Sequence, residues 1–111
     1  METEEQKIII KNPTLEDSQA ITDLVVACDI EEIGEPDITL SDIVDMWNSI
    51  QIETDAWIAL SPTNEIIGYS FVEVTGTSRM DTSVFVHPYF KNQGIGSLLL
   101  NKVEERANVL V

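Results

Sequence analysis

The sequence of 111 residues has one cysteine, few basic residues and no long apolar run. Because Cys28 is alone, no intramolecular disulfide can form, and its position after Leu24-Val25-Val26 favours a small buried residue over a reactive thiol. No apolar stretch approaches the roughly 18 residues that a membrane-spanning helix needs. The 6 Lys and Arg against 20 Asp and Glu disfavour nucleic-acid binding, which depends on basic contacts with phosphates.

The length and composition are those of a single domain, which we expect to span residues 1–111. Residues 1–5 are acidic where a secretory or mitochondrial leader would be basic, so the expected location is the cytoplasm. The net charge of −14 is uneven, with −13 carried by residues 1–55 and −1 by residues 56–111. This acidity either serves solubility alone or attracts cationic amines.

Hydrophobic periodicity and turn residues predict seven elements in the order β-α-α-β-β-β-α. Each predicted helix of the first half begins with a capping pattern, at residues 14–17 and 39–42. An acidic loop is expected between these helices, over residues 29–37. The predicted strands cover residues 7–11, 56–60, 65–74 and 80–87, with turns at 61–64 and 75–78, and the last helix runs from near Gly94 to near Asn108.

The apolar sides of the helices follow from the same spacing. In the first helix a stripe is expected to pack inward, formed by Leu15, Ile21, Leu24, Val25 and Cys28, and in the second by Leu40, Ile43, Val44 and Trp47. In the last helix the inward residues are Ile95, Leu98, Leu99, Val103 and Ala107, and the outward ones Lys102, Glu105 and Arg106.

The most informative segment joins the last predicted strand to the last helix, over residues 84–99. After the apolar strand comes Pro88, then Lys91-Asn92-Gln93-Gly94-Ile95-Gly96, and then the apolar Leu98 and Leu99. Free amides and the dipole at such a helix start form an anion site, although two glycines alone would mark only a tight turn. Phosphate-binding P-loop and dinucleotide fingerprints are both absent from the sequence.

This segment resembles the acetyl-CoA motif of the GNAT N-acetyltransferase superfamily. The resemblance implies a mixed α/β (α+β) fold with a largely antiparallel sheet, in the element order predicted above. It covers the N-terminal two thirds of a GNAT domain, and the family's fifth strand, fourth helix and closing hairpin have no counterpart in the sequence. In the family the fourth and fifth strands splay apart around the pantetheine arm of the cosubstrate.

The resemblance implies acetyl transfer from acetyl-CoA to an amine of a small molecule or protein, without a metal. The alternative is a non-catalytic acyl-CoA-binding half-domain of a larger or tandem GNAT protein. On either interpretation, backbone groups of Phe85 and Val86 would bind the pantetheine. The pyrophosphate would be held by the loop and helix start, formed by Lys91, Asn92, Gln93, Gly94, Ile95, Gly96 and Ser97.

Catalytic residues are harder to identify, because the tyrosine that many family members use as general acid lies on the fourth helix. Glu73 is the first candidate for a general base, although a polar residue on the solvent side of an alternating strand is the simpler interpretation of it. Asp81 and His87 are second choices. Tyr69 and Tyr89 are expected to be packed aromatic residues.

The resemblance also bears on partners. In the family, the segment between the first two helices walls the acceptor pocket, so its acids either bind an amine or are simply solvated: Glu31, Glu32, Glu35 and Asp37. Without a fifth strand, the strand at residues 80–87 has an open edge. We expect a second copy, a second GNAT half or pairing by residues 109–111 to cover it.

Overall fold

Four antiparallel strands form one sheet in the computed structural model, which describes residues 8–75 and 79–110. The predicted strand residue Lys7, the turn residues 76–78 and Val111 lie outside the described residues. The elements are β1 (Ile9–Lys11), a 3-10 turn (Leu15–Asp17), α1 (Ser18–Ile33), α2 (Leu40–Trp47), α3 (Ile52–Asp55), β2 (Ala56–Leu60), β3 (Ile66–Thr75), β4 (Arg79–Val86), a 3-10 turn (Pro88–Phe90) and α4 (Ile95–Leu110). None of the helices in the described ranges is long and apolar enough to cross a bilayer.

The strands lie in the order β1-β2-β3-β4, and every neighbouring pair is antiparallel. The long β3–β4 pair keeps one register from Gly68 opposite Val86 to Glu73 opposite Asp81 and beyond. Within the described residues β4 pairs on one side only, so it is an edge of the sheet. The predicted mixed fold with a largely antiparallel sheet is confirmed.

Helices α1 and α2 cover one face of the sheet. Their buried side chains pack against Ile58, Tyr69 and Phe71 of β2 and β3. The capping pattern at the start of α2 is confirmed, since the Asp42 N–H donates to the Thr39 hydroxyl at 3.2 Å and the Thr39 N–H donates to the Asp42 carboxylate at 3.0 Å.

Tyr69 is fully buried on this face, and its hydroxyl accepts a hydrogen bond of 2.9 Å from the Trp47 indole N–H. The expectation of a packed aromatic residue is therefore confirmed for Tyr69. Burial raises the pKa of its phenol to about 12, against which the hydrogen bond from Trp47 acts. Because Trp47 lies on α2, the bond joins that helix to the centre of the sheet.

Helix α4 covers the opposite face. Its buried side chains are Ile95, Leu99 and Val103, which pack in a cluster with Trp57 and Ile67. The helix lies very close to β3 at Gly68, because a Cβ at that position would lie 2.7 Å from the Leu99 Cδ1. This close contact fixes where α4 begins relative to the sheet.

The expectation of inward packing is wrong for several apolar residues of the helices. Leu15 is 69% exposed because it lies in the 3-10 turn before α1, where the helical spacing does not apply. Leu98 of α4 is 44% exposed, while Leu40 and Val44 of α2 are 40% and 41% exposed. The helices present only a narrow stripe to the sheet, so the residues flanking that stripe face solvent. Arg106, expected to point outward, instead pairs with Asp55 at 2.7 Å.

The helix boundaries also differ from those predicted. Residues 29–33, expected in a loop, continue α1, which ends at Gly34 with φ +85° and a 3.0 Å bond from its N–H to the Ile30 carbonyl. Only glycine adopts this left-handed conformation at little cost, so Gly34 and not the acidic composition ends the helix. The short helix α3 was not predicted, and α4 continues to Leu110, so residues 109 and 110 are helical and form no strand.

Candidate functional site

The strand–turn–helix segment predicted from residues 84–99 forms as expected. After β4 ends at Val86, His87 begins the 3-10 turn, where its Nδ1 accepts a hydrogen bond of 3.1 Å from the Tyr89 N–H. Asn92 and Gly94 then adopt left-handed φ angles of 66° and 83°. These two residues reverse the chain so that α4 starts beside the end of β4.

The start of α4 presents free amides. Its first intrahelical bond runs from the Leu98 N–H to the Gly94 carbonyl at 3.2 Å, so the N–H groups of Ile95, Gly96 and Ser97 precede the first helical donor and have no acceptor within the helix. Together with the helix dipole they favour a negatively charged group at this end.

The two glycines of the loop play different parts. Gly94 needs its left-handed φ for the turn, whereas Gly96 has no such φ and lies within the helix. A Cβ at position 96 would meet only the Val86 Cγ2, at an ordinary 3.6 Å, and one at position 94 would meet no atom within 4 Å. The fold of the chain therefore leaves open space at position 94 and room for a Cβ at position 96, so packing does not require glycine at position 96.

A cleft of about 230 Å³ lies beside this loop. It is lined by three residues of α1 (Cys28, Glu31 and Glu32), three of β4 (Val84, Phe85 and Val86) and Lys91 of the loop. The structure thus brings together three of the residues predicted for the cosubstrate, Phe85, Val86 and Lys91. Of the acids predicted near the acceptor, it brings Glu31 and Glu32 to the cleft, while Glu35 and Asp37 are exposed beyond the end of α1.

Lys91 does not stand alone in the loop. Its Nζ lies 3.6 Å from the Glu31 Oε2, and both side chains are about half exposed, at 48% and 51%. A salt bridge therefore joins the loop to α1 across the cleft. No local sequence pattern indicates this pairing, because its two members lie 60 positions apart in the chain.

Cys28 was expected to be a small buried residue, but it is only partly buried and lies at the wall of the cleft. Its thiol donates to the Val86 carbonyl at 3.3 Å. Burial raises the pKa of this thiol, and Glu32 and Asp29 raise it further, against the smaller influences of Lys91 and the Val86 hydrogen bond. The thiol is therefore a hydrogen-bond donor at neutral pH. The spacing 28, 31, 32 on one helix face is the signal that could have found these three residues.

Of the three candidate bases, Glu73 and Asp81 are not among the residues that line this cleft, whereas His87 directly follows Val86 at its wall. Glu73 is partly buried on β3 opposite Asp81 on β4, and Asp81 forms an exposed ion pair with Arg79 at 3.2 Å. Asp81 and Phe85 are four residues apart on the same strand, so they share a face and are separated by about 13 Å. His87 is held as the cap of the 3-10 turn.

Tyr89 is 87% exposed, so the expectation that it packs into the protein is wrong. Its ring lies 5.3 Å from the His87 ring, while Phe90, the next residue, packs against the α4 cluster. The aromatic side chain of this turn that packs into the protein is therefore the partly buried Phe90, one position later than expected.

The comparisons with known proteins agree with this fold. The family model described as an acetyltransferase (GNAT) domain matches residues 53–110, from α3 to the end of α4. No curated protein matches the chain.

Solved structures of several acetyltransferases share the fold. A GCN5-related N-acetyltransferase from Sphaerobacter thermophilus superposes with a TM-score of 0.84 at 25% identity, covering 93% of this chain and 33% of that one. An N-acetyltransferase from Staphylococcus aureus Mu50 superposes with a TM-score of 0.73 at 17% identity, covering 95% of this chain and 68% of that one. A GNAT superfamily phosphinothricin acetyltransferase from Sinorhizobium meliloti, in complex with AcCoA, superposes with a TM-score of 0.74 at 17% identity, covering 93% of this chain and 60% of that one.

The chain therefore spans a third of the length of the Sphaerobacter protein and about two thirds of the other two. The family model covers more than half of its 111 residues, and the matched part contains β4, the loop and α4. The chain belongs to the GNAT acetyltransferase domain family.

Proposed function

We propose that this domain binds acetyl-CoA and takes part in transfer of its acetyl group to an amine. The observation that carries the proposal is the start of α4, where the amides of Ile95, Gly96 and Ser97 precede the first helical bond beside Lys91. The relative from Sinorhizobium meliloti in complex with AcCoA supports this choice of cosubstrate. The open space at Gly94 suits a phosphate group close to the backbone.

On this proposal, the loop from Lys91 to Ser97, including Asn92 and Gln93, holds the pyrophosphate through its amides and the lysine charge. Backbone groups of Phe85 and Val86 bind the pantetheine arm, because β4 is an edge strand within the described residues. Lys91 acts as a point charge, without the bidentate geometry that an arginine would give.

Acetyl-CoA supplies the thioester. The neutral amine attacks the acetyl carbonyl carbon, the C–S bond breaks, and the leaving thiolate takes up a proton while the amine nitrogen loses one. An acceptor amine with the pKa of a lysine, about 10.4, arrives protonated, so a base must deprotonate it. We propose Glu73 for this role, acting on an acceptor that enters along β4. The carboxylates of Glu31 and Glu32 at the cleft favour a cationic acceptor.

The second candidate function is a non-catalytic acyl-CoA-binding half-domain. Two observations favour it: Glu73 is not among the residues that line the cleft, and β4 pairs on one side only within the described residues. An acetylation assay over a panel of amines separates the two functions, because only the enzyme releases CoA. We propose that in either case a second copy of the chain or a second GNAT half covers the β4 edge.

The test of acetyl-CoA binding is the substitution Gly96→Val. It adds a bulky side chain at the second residue of α4, among the amides assigned to the pyrophosphate, and thermal-shift titration should show that the stabilisation given by acetyl-CoA to the wild type is lost. Asn101→Val places the same residue at an exposed position of α4, away from the loop, and should leave the stabilisation intact. Gly94 is a poorer choice because its φ of 83° strains any other residue.

Two results would overturn the proposal. The first is that millimolar acetyl-CoA does not stabilise the wild type, since a ligand that binds the native state must raise its stability. The second is that Gly96→Val binds acetyl-CoA as tightly as the wild type, which would remove the pyrophosphate from this loop. Lys91→Glu should also weaken binding, and more so at low salt, because the charge effect is screened as salt is added.

A further inference from the structure

Glu31 lies where the cosubstrate's negative charge is proposed to bind. Its carboxylate is 3.6 Å from the Lys91 ammonium, and both residues line the cleft beside the start of α4. The salt bridge joins α1 to the loop, so the partner of Lys91 comes from outside the loop. Any anion that binds Lys91 must either replace Glu31 or share the lysine with it.

We propose that Glu31 sets the affinity of the domain for acetyl-CoA by competing with the pyrophosphate for Lys91. The inference rests on the proposed function and adds a residue to it that lies outside the family-model match at residues 53–110. Glu31 is therefore a specificity-determining residue, acting through Lys91 and through direct repulsion of phosphate. Its position follows from the continuation of α1 to Ile33, since a helix that ended at residue 28 would leave the carboxylate in a loop.

The size of the effect follows from exposure. Because both side chains are about half exposed, the pair is worth no more than a typical surface ion pair, or about one- to fivefold in an equilibrium constant. Removing the carboxylate frees the lysine and also removes one like charge from the site. Glu31→Gln should therefore bind acetyl-CoA about two- to fivefold more tightly than the wild type.

Two other acids of α1 give matched controls, because each substitution changes the net charge equally, from −14 to −13. Glu32 lines the same cleft, but the Lys91 ammonium pairs with Glu31 and not with Glu32, so Glu32→Gln reports the general electrostatic field of the cleft. Asp23 is exposed near the start of α1 and accepts a hydrogen bond from Gln19 at 2.9 Å. Asp23→Asn should leave acetyl-CoA affinity unchanged, and Glu32→Gln should raise it less than Glu31→Gln.

The experiment is a double-mutant cycle measured by calorimetric titration with acetyl-CoA. The proteins are the wild type, Glu31→Gln, Lys91→Gln and the double variant, each at low and at high salt. In the Lys91→Gln background the gain from Glu31→Gln should shrink to that of Glu32→Gln. Acetyl-pantetheine, which carries the thioester without the pyrophosphate, is the second ligand, and its affinity should not change with Glu31→Gln.

The outcomes separate this inference from the proposed function. If no variant binds acetyl-CoA, both are wrong. If the wild type binds but Glu31→Gln and Glu32→Gln have equal effects, or if the gain from Glu31→Gln is undiminished without Lys91, the competition is wrong and the proposed function stands. A Glu31→Gln change confined to the KM of a cationic amine would also overturn the competition, because it would assign the carboxylate to the acceptor.

Discussion

Gly68→Ala tests how α4 is held against the sheet. Gly68 lies on β3 where α4 crosses it, and the start of that helix carries the loop assigned to the cosubstrate. A Cβ at position 68 would lie 2.7 Å from the Leu99 Cδ1, 3.1 Å from the Ala59 Cβ and 3.2 Å from the Ile95 Cγ2. All three neighbours are at most 1% exposed, so none can move into solvent to make room.

Two opposing effects decide the magnitude. Forcing an extra methyl group into a packed core costs about 1–3 kcal/mol. Replacing a glycine within a strand returns about 0.5–1 kcal/mol, because the unfolded chain loses less entropy on folding. The overlap at 2.7 Å is severe, so the first effect is the larger. We expect Gly68→Ala to lower the free energy of unfolding by about 1–2 kcal/mol.

The assay is urea denaturation followed by circular dichroism, arranged as a cycle with Leu99→Ala. Leu99→Ala alone should cost about 2–5 kcal/mol, but less in the Gly68→Ala background, because the new methyl group fills part of the cavity. The control is Gly96→Ala, where the added Cβ meets only an ordinary 3.6 Å contact and α-helix propensity improves. That variant should be as stable as the wild type or more stable.

Either of two results would refute the reasoning. A Gly68→Ala protein as stable as the wild type would mean that α4 shifts freely on the sheet. Strict additivity of Gly68→Ala and Leu99→Ala would mean that the two side chains do not meet, since coupled neighbours typically show an interaction energy of about 0.5–3 kcal/mol.

Two further predictions concern the buried phenol and the sheet edge. Tyr69→Phe should lower the free energy of unfolding by about 1–3 kcal/mol in urea titrations, because the Trp47 N–H loses its acceptor, and a protein of unchanged stability would contradict the 2.9 Å bond. Because the pKa of the Tyr69 phenol is raised to about 12, its contribution to the free energy of unfolding is complete below pH 10. As the pH rises towards 12 this contribution falls by about 3 kcal/mol, and the stability of Tyr69→Phe should lack this pH dependence. Self-association through β4 should strengthen as salt is added, because molecules of net charge −14 repel one another and salt screens the repulsion. Sedimentation at low and at high salt measures this, and an active acetyltransferase that is monomeric at both would show that the β4 edge needs no partner.

Local patterns account for what the sequence predicted correctly. The turn and helix start after β4 depend on residues adjacent in the chain, above all the left-handed Gly94, and the capping pair Thr39 and Asp42 spans four residues. The element order followed from hydrophobic spacing, which each strand and helix carries within itself.

The errors arise where the spacing is not helical or where the decisive contact is distant. Leu15 fits an α-helical stripe in sequence but lies in a 3-10 turn, whose different period turns it to solvent. The acids of residues 29–37 together with Gly34 and Pro36 suggested a loop, yet residues 29–33 continue α1, where Glu31 and Glu32 are exposed and Asp29 is partly buried. The ion pair between Arg106 and Asp55 joins residues that are 51 positions apart in the chain, and hydrophobic periodicity does not predict such distant contacts.

Helices α1 and α4 both contact the end of β4, and they supply different groups to the candidate site. Val86 accepts the Cys28 thiol hydrogen bond through its carbonyl and lies close to Gly96 through its side chain, so α1 and α4 contact the same residue from two directions. The family-model match begins at residue 53 and therefore contains β4, the loop and α4 but not α1. The amides that favour an anion belong to that shared part, whereas the cleft's thiol and two carboxylates come from α1. A change in α1 can thus alter the charge of the cleft without altering the backbone of the loop, because the two are joined by side chains alone at the Lys91–Glu31 pair.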